Sequence, residues 1–185
     1  KEQKNLQINS NDEATTEEKL VASDNLNHVV ETTNQAIEDA PDTNQVNVEK
    51  NKGIGTIRDI QPLVVKKPTA KSKIESAVEK KKTEINQTQN ATHDEVRESL
   101  NQLNQIHEKA KNDVNQSQTN QQVENAEQNS LDQINNFRPD FSKKRNAVAE
   151  IVKAQQNKID EIEQEFSATQ EEKDNALQHL DEQVK

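Results

Sequence analysis

The 185-residue sequence contains no cysteine, methionine, tryptophan or tyrosine, and only three phenylalanines. Without cysteine there is no disulfide framework, no thiolate nucleophile and no cysteine-ligated zinc. Aromatics at 2% are too few to line an ordinary small-molecule pocket or to stack on nucleic-acid bases. Two glycines and four prolines are too few for a turn-rich β fold. Apolar runs are only a few residues long, so no segment reads as membrane-spanning. Positive charge is in deficit: 24 Lys+Arg face 34 Asp+Glu, for a net charge of −10. That balance argues against a nucleic-acid binder, which needs a basic footprint. The length allows one domain or two.

What the chain does have is polar bulk. Hydrophobic residues make up 28% and charged residues 31%, and Asn plus Gln supply roughly a quarter. Low hydrophobicity with high net charge is a signature of disorder. The same make-up suits long, thin helices whose apolar faces are narrow stripes. Periodicity decides between them.

Sliding the sequence along itself by 77 positions brings three Ala-Thr dipeptides into line: Ala14-Thr15, Ala91-Thr92 and Ala168-Thr169. The same offset aligns Lys4, Lys81 and Lys158; Ile8, Ile85 and Ile162; Glu18, Glu95 and Glu172; and Leu26, Leu103 and Leu180. It also pairs Val46 with Val123, Ile57 with Ile134, Pro62 with Pro139, Ala70 with Ala147, Ile74 with Ile151 and Ala77 with Ala154. Roughly a quarter of the overlapping positions are identical without a gap. A register held without insertion points to packed elements of fixed length. The expected organisation is the end of one repeat at 1–14, repeats at 15–91 and 92–168, and the start of another at 169–185.

Each unit carries three helical patterns. In the clearest, Val96, Leu100, Leu103, His107, Ala110 and Val114 follow a 4-3-4-3-4 spacing and share one helical face. Thr92 with Glu95 before it forms a capping box, repeated at Thr15/Glu18 and Thr169/Glu172. A second pattern starts near Asp42 or Thr119, the latter with Gln122 as its box partner. Val123, Ala126, Ser130, Ile134 and Phe137 form its face, and Pro139, like Pro62, marks its end. Gly53 and Gly55 should weaken the earlier copy by about 1 kcal/mol each relative to alanine. The remaining pattern starts near Pro68 or Ser142. It carries Ala70, Ile74, Ala77, Val78 and Ile85 in one copy, and Ala147, Ile151, Ala154, Ile159, Ile162 and Phe166 in the next.

Helices of about 18 to 26 residues would be some 27 to 39 Å long. None can bury its stripe alone, but three packed at shallow angles can. An odd number of helices per unit carries the chain in at one end and out at the other, so units should stack end to end. The predicted fold is all-α: an elongated tandem array of three-helix bundle modules.

The Ala-Thr-x-[Asp/Glu]-Glu motif stands at 14–18, 91–95 and 168–172, and the Ile-x-x-[Ile/Phe]-x-Pro stretch at Ile57–Pro62 and Ile134–Pro139. At this fixed period they resemble the tandem "domain of unknown function" repeat of staphylococcal cell-wall-anchored surface proteins, the SasC-like and FmtB/Mrp-like proteins. The resemblance covers essentially the whole chain. It implies a long, secreted, wall-attached protein with many such repeats between an N-terminal adhesive region and a C-terminal sorting signal. It also implies a role in cell aggregation or biofilm formation. Neither a secretion signal nor a sorting motif is present here, so the extracellular, wall-anchored location rests on the resemblance alone.

No catalytic, cofactor or metal site is expected. His28, His93, His107 and His179 form no HExxH and no tight cluster with acids. There is no Asp-x-Asp-x-Asp-Gly calcium loop and no Ser-His-Asp spacing. His107 stands where the previous copy has Val30 and reads as a residue at the edge of the bundle core. One charge feature stands out: Lys66, Lys67, Lys71, Lys73, Lys80, Lys81 and Lys82 cluster in one helix, and within that run only Glu75 and Glu79 oppose them. The matched helix of the next copy ends acidic, at Asp160, Glu161, Glu163 and Glu165. These are either solvated faces that keep a crowded array soluble, or basic faces that meet anionic wall polymer or a neighbouring repeat. No nucleic acid, membrane insertion or small-molecule substrate is expected. The expected function is a stalk or spacer in a bacterial surface adhesin, with repeats that adhere by themselves as the alternative and a disordered brush as a third reading.

Overall fold

The computed structural model describes residues 1–184, and among these all regular structure is helical. Eight helices follow in order: α1 (Glu2–Asn9), α2 (Thr16–Glu38), α3 (Thr43–Asp59), α4 (Lys66–Asn86), α5 (His93–Gln116), α6 (Asn120–Asn136), α7 (Lys143–Gln164) and α8 (Gln170–Val184). Packing divides the chain into one unit of residues 1–84 and 101–137, and a second of residues 85–100 and 138–185.

The expected caps all form. Thr15 and Thr119 each accept an amide at the third helical residue, and the Glu18 and Gln122 side chains return to the cap. Thr92 and Glu95 exchange the same two bonds, 2.7 and 3.2 Å, and Thr169 and Glu172 do so at 2.8 and 3.4 Å. Asp42 caps α3 by accepting from the Gln45 amide. Each box satisfies donors that the first turn of a helix cannot pair internally.

In the first unit, Ile8 of α1, Ala22 and Leu26 of α2, and Ile60 just after α3 are buried together, with Val29, Val30 and Ile57 half-buried around them. Ala70, Ile74 and Val78 of α4, Leu103, Ala110 and Val114 of α5, and Val123 and Ile134 of α6 are also buried. Fully burying each of the larger ones is worth about 1.5–3 kcal/mol. Those of α4, α5 and α6 are positions that the helical spacing singled out, whereas Ala22 and Ile60 lay outside the named stripes and Val96, Leu100, Ala77 and Ala126 are only half-buried.

Helix α3 runs unbroken through Gly53 and Gly55, and the two are not equivalent. A Cβ at Gly53 would collide with the Thr33 side chain of α2, whereas one at Gly55 would meet nothing within 4 Å. Gly53 thus permits a close approach of α2 and α3. The matched positions of the next copy hold Ala110 and Ser130, both buried, so there the small side chains sit on both helices.

Other boundaries moved. Helix α4 starts at Lys66, ahead of Pro68, because proline is tolerated in a first turn, where amides lack helical partners anyway. Helices α3 and α6 stop before their prolines: Ile60 and Phe137 turn to an extended backbone, and 60–65 and 137–142 are outside any helix. The third helix of a repeat therefore does not run on into the first helix of the next.

In the second unit, α7 packs beside α8, and neither helix has a buried residue. The expected core positions Ala147, Ile151 and Ala154 are exposed. Phe166 is not on the apolar face at all: α7 ends at Gln164, Glu165 turns to an extended backbone, and the ring is 100% exposed.

Candidate functional site

The four histidines are apart. His28, His93 and His179 are exposed, and only His107 is buried. Among the described residues no group of three or more His, Asp or Glu is arranged to hold a metal ion. His107 Nε2 of α5 lies 3.0 Å from Glu75 Oε2 of α4, an ion-pair distance without the alignment of a hydrogen bond. The position is a core edge carrying one polar pair, as its place on the stripe suggested. A separate recess of about 390 Å³ between α4 and α6 is lined by Val65, Lys66, Thr69, Lys73, Glu124, Glu127 and Gln128. Its charged groups are engaged with one another.

The lysine cluster of α4 is largely committed within the chain. Lys66 pairs with Glu124 at 2.6 Å, Lys73 with Glu127 at 2.6 Å, and Lys71 with Glu13 at 3.1 Å. Lys81 and Lys82 pair along the helix with Glu84 and Glu79. Lys67 is buried, and its ammonium donates to the Asp12 and Asn115 carbonyls, both at 2.8 Å. What the sequence presents as a basic run is a set of struts to α6 and to the loop before α2. The hydrogen bond to Glu124 holds the Lys66 ammonium above its ordinary range, against the opposing effect of burial.

Those struts meet at one place in the first unit. The loop from α1 to α2 touches the start of α4 and the loop from α5 to α6. The Thr16 amide donates to the Gln118 carbonyl at 2.8 Å, the Thr15 hydroxyl to Asn120 Oδ1 at 2.8 Å, and the Asn120 amide to Glu17 Oε2 at 2.9 Å. Glu18 is the hub. Its Oε2 accepts the Thr15 amide at 2.9 Å, and its Oε1 accepts the Val65 and Lys66 amides at 2.8 and 2.9 Å. Burial pushes this carboxyl up, but the amides of Thr15, Val65 and Lys66 and the Thr15 hydroxyl outweigh it and leave it below the usual carboxylate range.

The second unit repeats the arrangement. Glu95 is buried; its Oε2 accepts the Thr92 amide at 2.7 Å and its Oε1 the Lys143 amide at 2.8 Å. The Thr92 and Lys143 amides hold its carboxyl low against the cost of burial, helped by the Thr92 hydroxyl and the Lys143 charge. In both units the glutamate reaches an amide 48 residues ahead. The sequence signalled only the local half of this geometry. The capping box is read from a spacing of three, whereas nothing in the local pattern marks an amide 48 residues away.

Comparison with known families matches three consecutive segments, residues 1–65, 66–142 and 143–185, to the family described as Domain of Unknown Function (DUF1542). The boundaries cut the same 77-residue period at a different phase from the Ala-Thr dipeptides. They fall at the bonds Glu18 and Glu95 span: Val65 and Lys66 flank the first, and Lys143 opens the third segment. No curated protein and no solved structure matches the chain. With essentially every residue covered by three tandem matches, the chain belongs to the DUF1542 family as a run of consecutive copies.

Proposed function

We propose that this chain is a run of stalk repeats from a bacterial cell-surface adhesin of the staphylococcal, wall-anchored kind. Its work is mechanical: it sets a length and holds an adhesive region away from the cell, and so supports aggregation or biofilm formation. The observation that carries this reading is the recurrence of one joint, Glu18 to Lys66 and Glu95 to Lys143, at the family period. A device repeated where one copy meets the next is what a spacer needs, since stiffness in repeat proteins comes from neighbour contacts. The in-chain pairing of the α4 lysines favours a spacer over a polyanion-binding face. Catalysis has no part in this reading.

Single-molecule pulling tests it. Each 77-residue copy should release about 250–280 Å of contour length as it opens, at 3.3–3.6 Å per residue, in a sawtooth. A single smooth extension would overturn the stalk reading. So would a compact particle in solution scattering, where an elongated one is expected. Purified repeats that clump or coat surfaces by themselves would turn the assignment to an adhesive module.

A further inference from the structure

We propose that the third residue of the second helix in each copy, Glu18 and Glu95, is a joint pin: one carboxylate oxygen closes the start of its own helix, and the other closes the start of the first helix of the following copy. The inference deepens the stalk reading and rests on it for its biological meaning, but its geometry stands alone. Thr15 and Thr92 amides take Oε2, while Lys66 and Lys143 amides take Oε1, and in each case the second amide belongs to the first turn of α4 or α7. Two helix N-termini, each with unpaired amides and a partial positive charge, therefore converge on one negative charge. Such charge-assisted bonds are shorter and stronger than neutral ones.

The pin does what neither cap could do separately. A capping box fixes a helix end relative to its own loop. A carboxylate shared between two helix ends fixes the start of one copy to the middle of the copy before it. The other charged groups at the first joint have their own partners: Glu17 takes the Asn120 amide, Lys66 pairs with Glu124, Lys71 with Glu13, and the Lys67 ammonium sits on two carbonyls. At the second joint Asp94 pairs with Arg97 at 2.6 Å, and the Lys143 charge lies near the pin. Glu172 stands at the same position in the third copy and holds the Thr169 amide at 2.8 Å.

The test is a pH titration of the full chain followed through backbone amide resonances. Val65 and Lys66 amides should move together with the Thr15 amide, with one midpoint below the ordinary glutamate range. The Lys143 amide should move with that of Thr92. Glu18→Gln should abolish the movement at Val65 and Lys66 and speed their hydrogen exchange at least tenfold, leaving Lys143 unchanged. Glu95→Gln should do the reverse, and Glu172→Gln should alter neither joint. If Val65 and Lys66 do not titrate with Thr15, or if Glu18→Gln leaves their exchange as it was, the pin does not exist. Should Glu18→Gln unfold its own unit, the Glu95 joint and its variant decide the matter in the same way. An elongated particle with uncoupled amides would sink the pin and spare the stalk; coupled amides in a compact particle would do the opposite.

Discussion

Helices α4 and α7 start 77 residues apart, at Lys66 and Lys143, and carry matched apolar positions at Ala70 and Ala147 and at Ile74 and Ile151. Their environments differ completely. Ile74 is fully buried, and Ile151 is 54% exposed. Where α4 has Lys71 and Glu75, α7 has Val148 and Val152, so the barer helix carries the wider apolar stripe. The difference lies in the cover. Helix α4 is tied to α6 by Lys66–Glu124 and Lys73–Glu127 and to α5 by Glu75–His107, whereas α7 has α8 beside it. An apolar stripe does not bury itself; it is hidden only where neighbouring helices cover it.

The largest test of that contrast is alanine at the matched isoleucines. Ile74→Ala should cost about 2–5 kcal/mol, as truncations in closed cores do. Ile151→Ala should fall within about 0.5 kcal/mol of the parent, as surface changes do. Denaturant unfolding of both variants gives the comparison. Equal losses would mean that the α7 face is covered in solution.

Cover can be tested next within a single helix. Gly53→Ala should lose about 1–3 kcal/mol by forcing a methyl into Thr33. Gly55→Ala, two residues on and facing open space, should gain up to about 1 kcal/mol through helix propensity. Thermal melts of the pair separate the two roles, and destabilisation of equal size by both would refute the close approach.

A smaller effect is expected at the polar pair between α4 and α5. Its counterparts one period on are Val152 and Val184, so the sequence places valines at both matched positions. Glu75→Val removes the half-exposed partner of His107 and should cost up to about 1 kcal/mol, as partly exposed polar pairs do. Adding His107→Val should recover most of the loss, which a double-mutant cycle would detect. Additive losses would show that the two positions do not interact.

The smallest effects should come from pH. Glu18 and Glu95 have carboxyls lowered on folding, so their stabilisation is present above the unfolded glutamate value, about 4.3, and fades as pH falls through the folded one. Lys66 is raised, so its contribution is present below the ordinary lysine value and is lost as pH rises through the folded one. Being exposed, that pair should also weaken in salt. Unfolding midpoints across pH check both signs.

Local chemistry was the legible part of the sequence. The capping boxes at Thr15, Thr92, Thr119 and Thr169 are i to i+3 patterns, and the stripes through Ala70–Val78 and Leu103–Val114 are i to i+4 patterns. Both survive in the fold because a helix makes those residues neighbours. Hidden were the facts that depend on distant partners. The seven lysines of α4 look like a free basic face until Glu13, Glu124 and Glu127 are brought against them. Gly53 and Gly55 look alike until Thr33 arrives beside one of them. Phe166 looked like the end of a stripe because periodicity does not show that α7 stops two residues earlier. Glu18 advertised a cap, and its second grip awaited the tertiary fold.

Leu63, 78% exposed, and Phe166 stand outside every helix, on backbone that is extended or turning. A digestive enzyme that selects large apolar residues needs such unfurled backbone to thread its cleft. Val148, Ile151 and Val152 are also exposed, though less so, and they are locked in helical hydrogen bonds. Attack should therefore part this chain at its seams first and leave its coils as intact fragments.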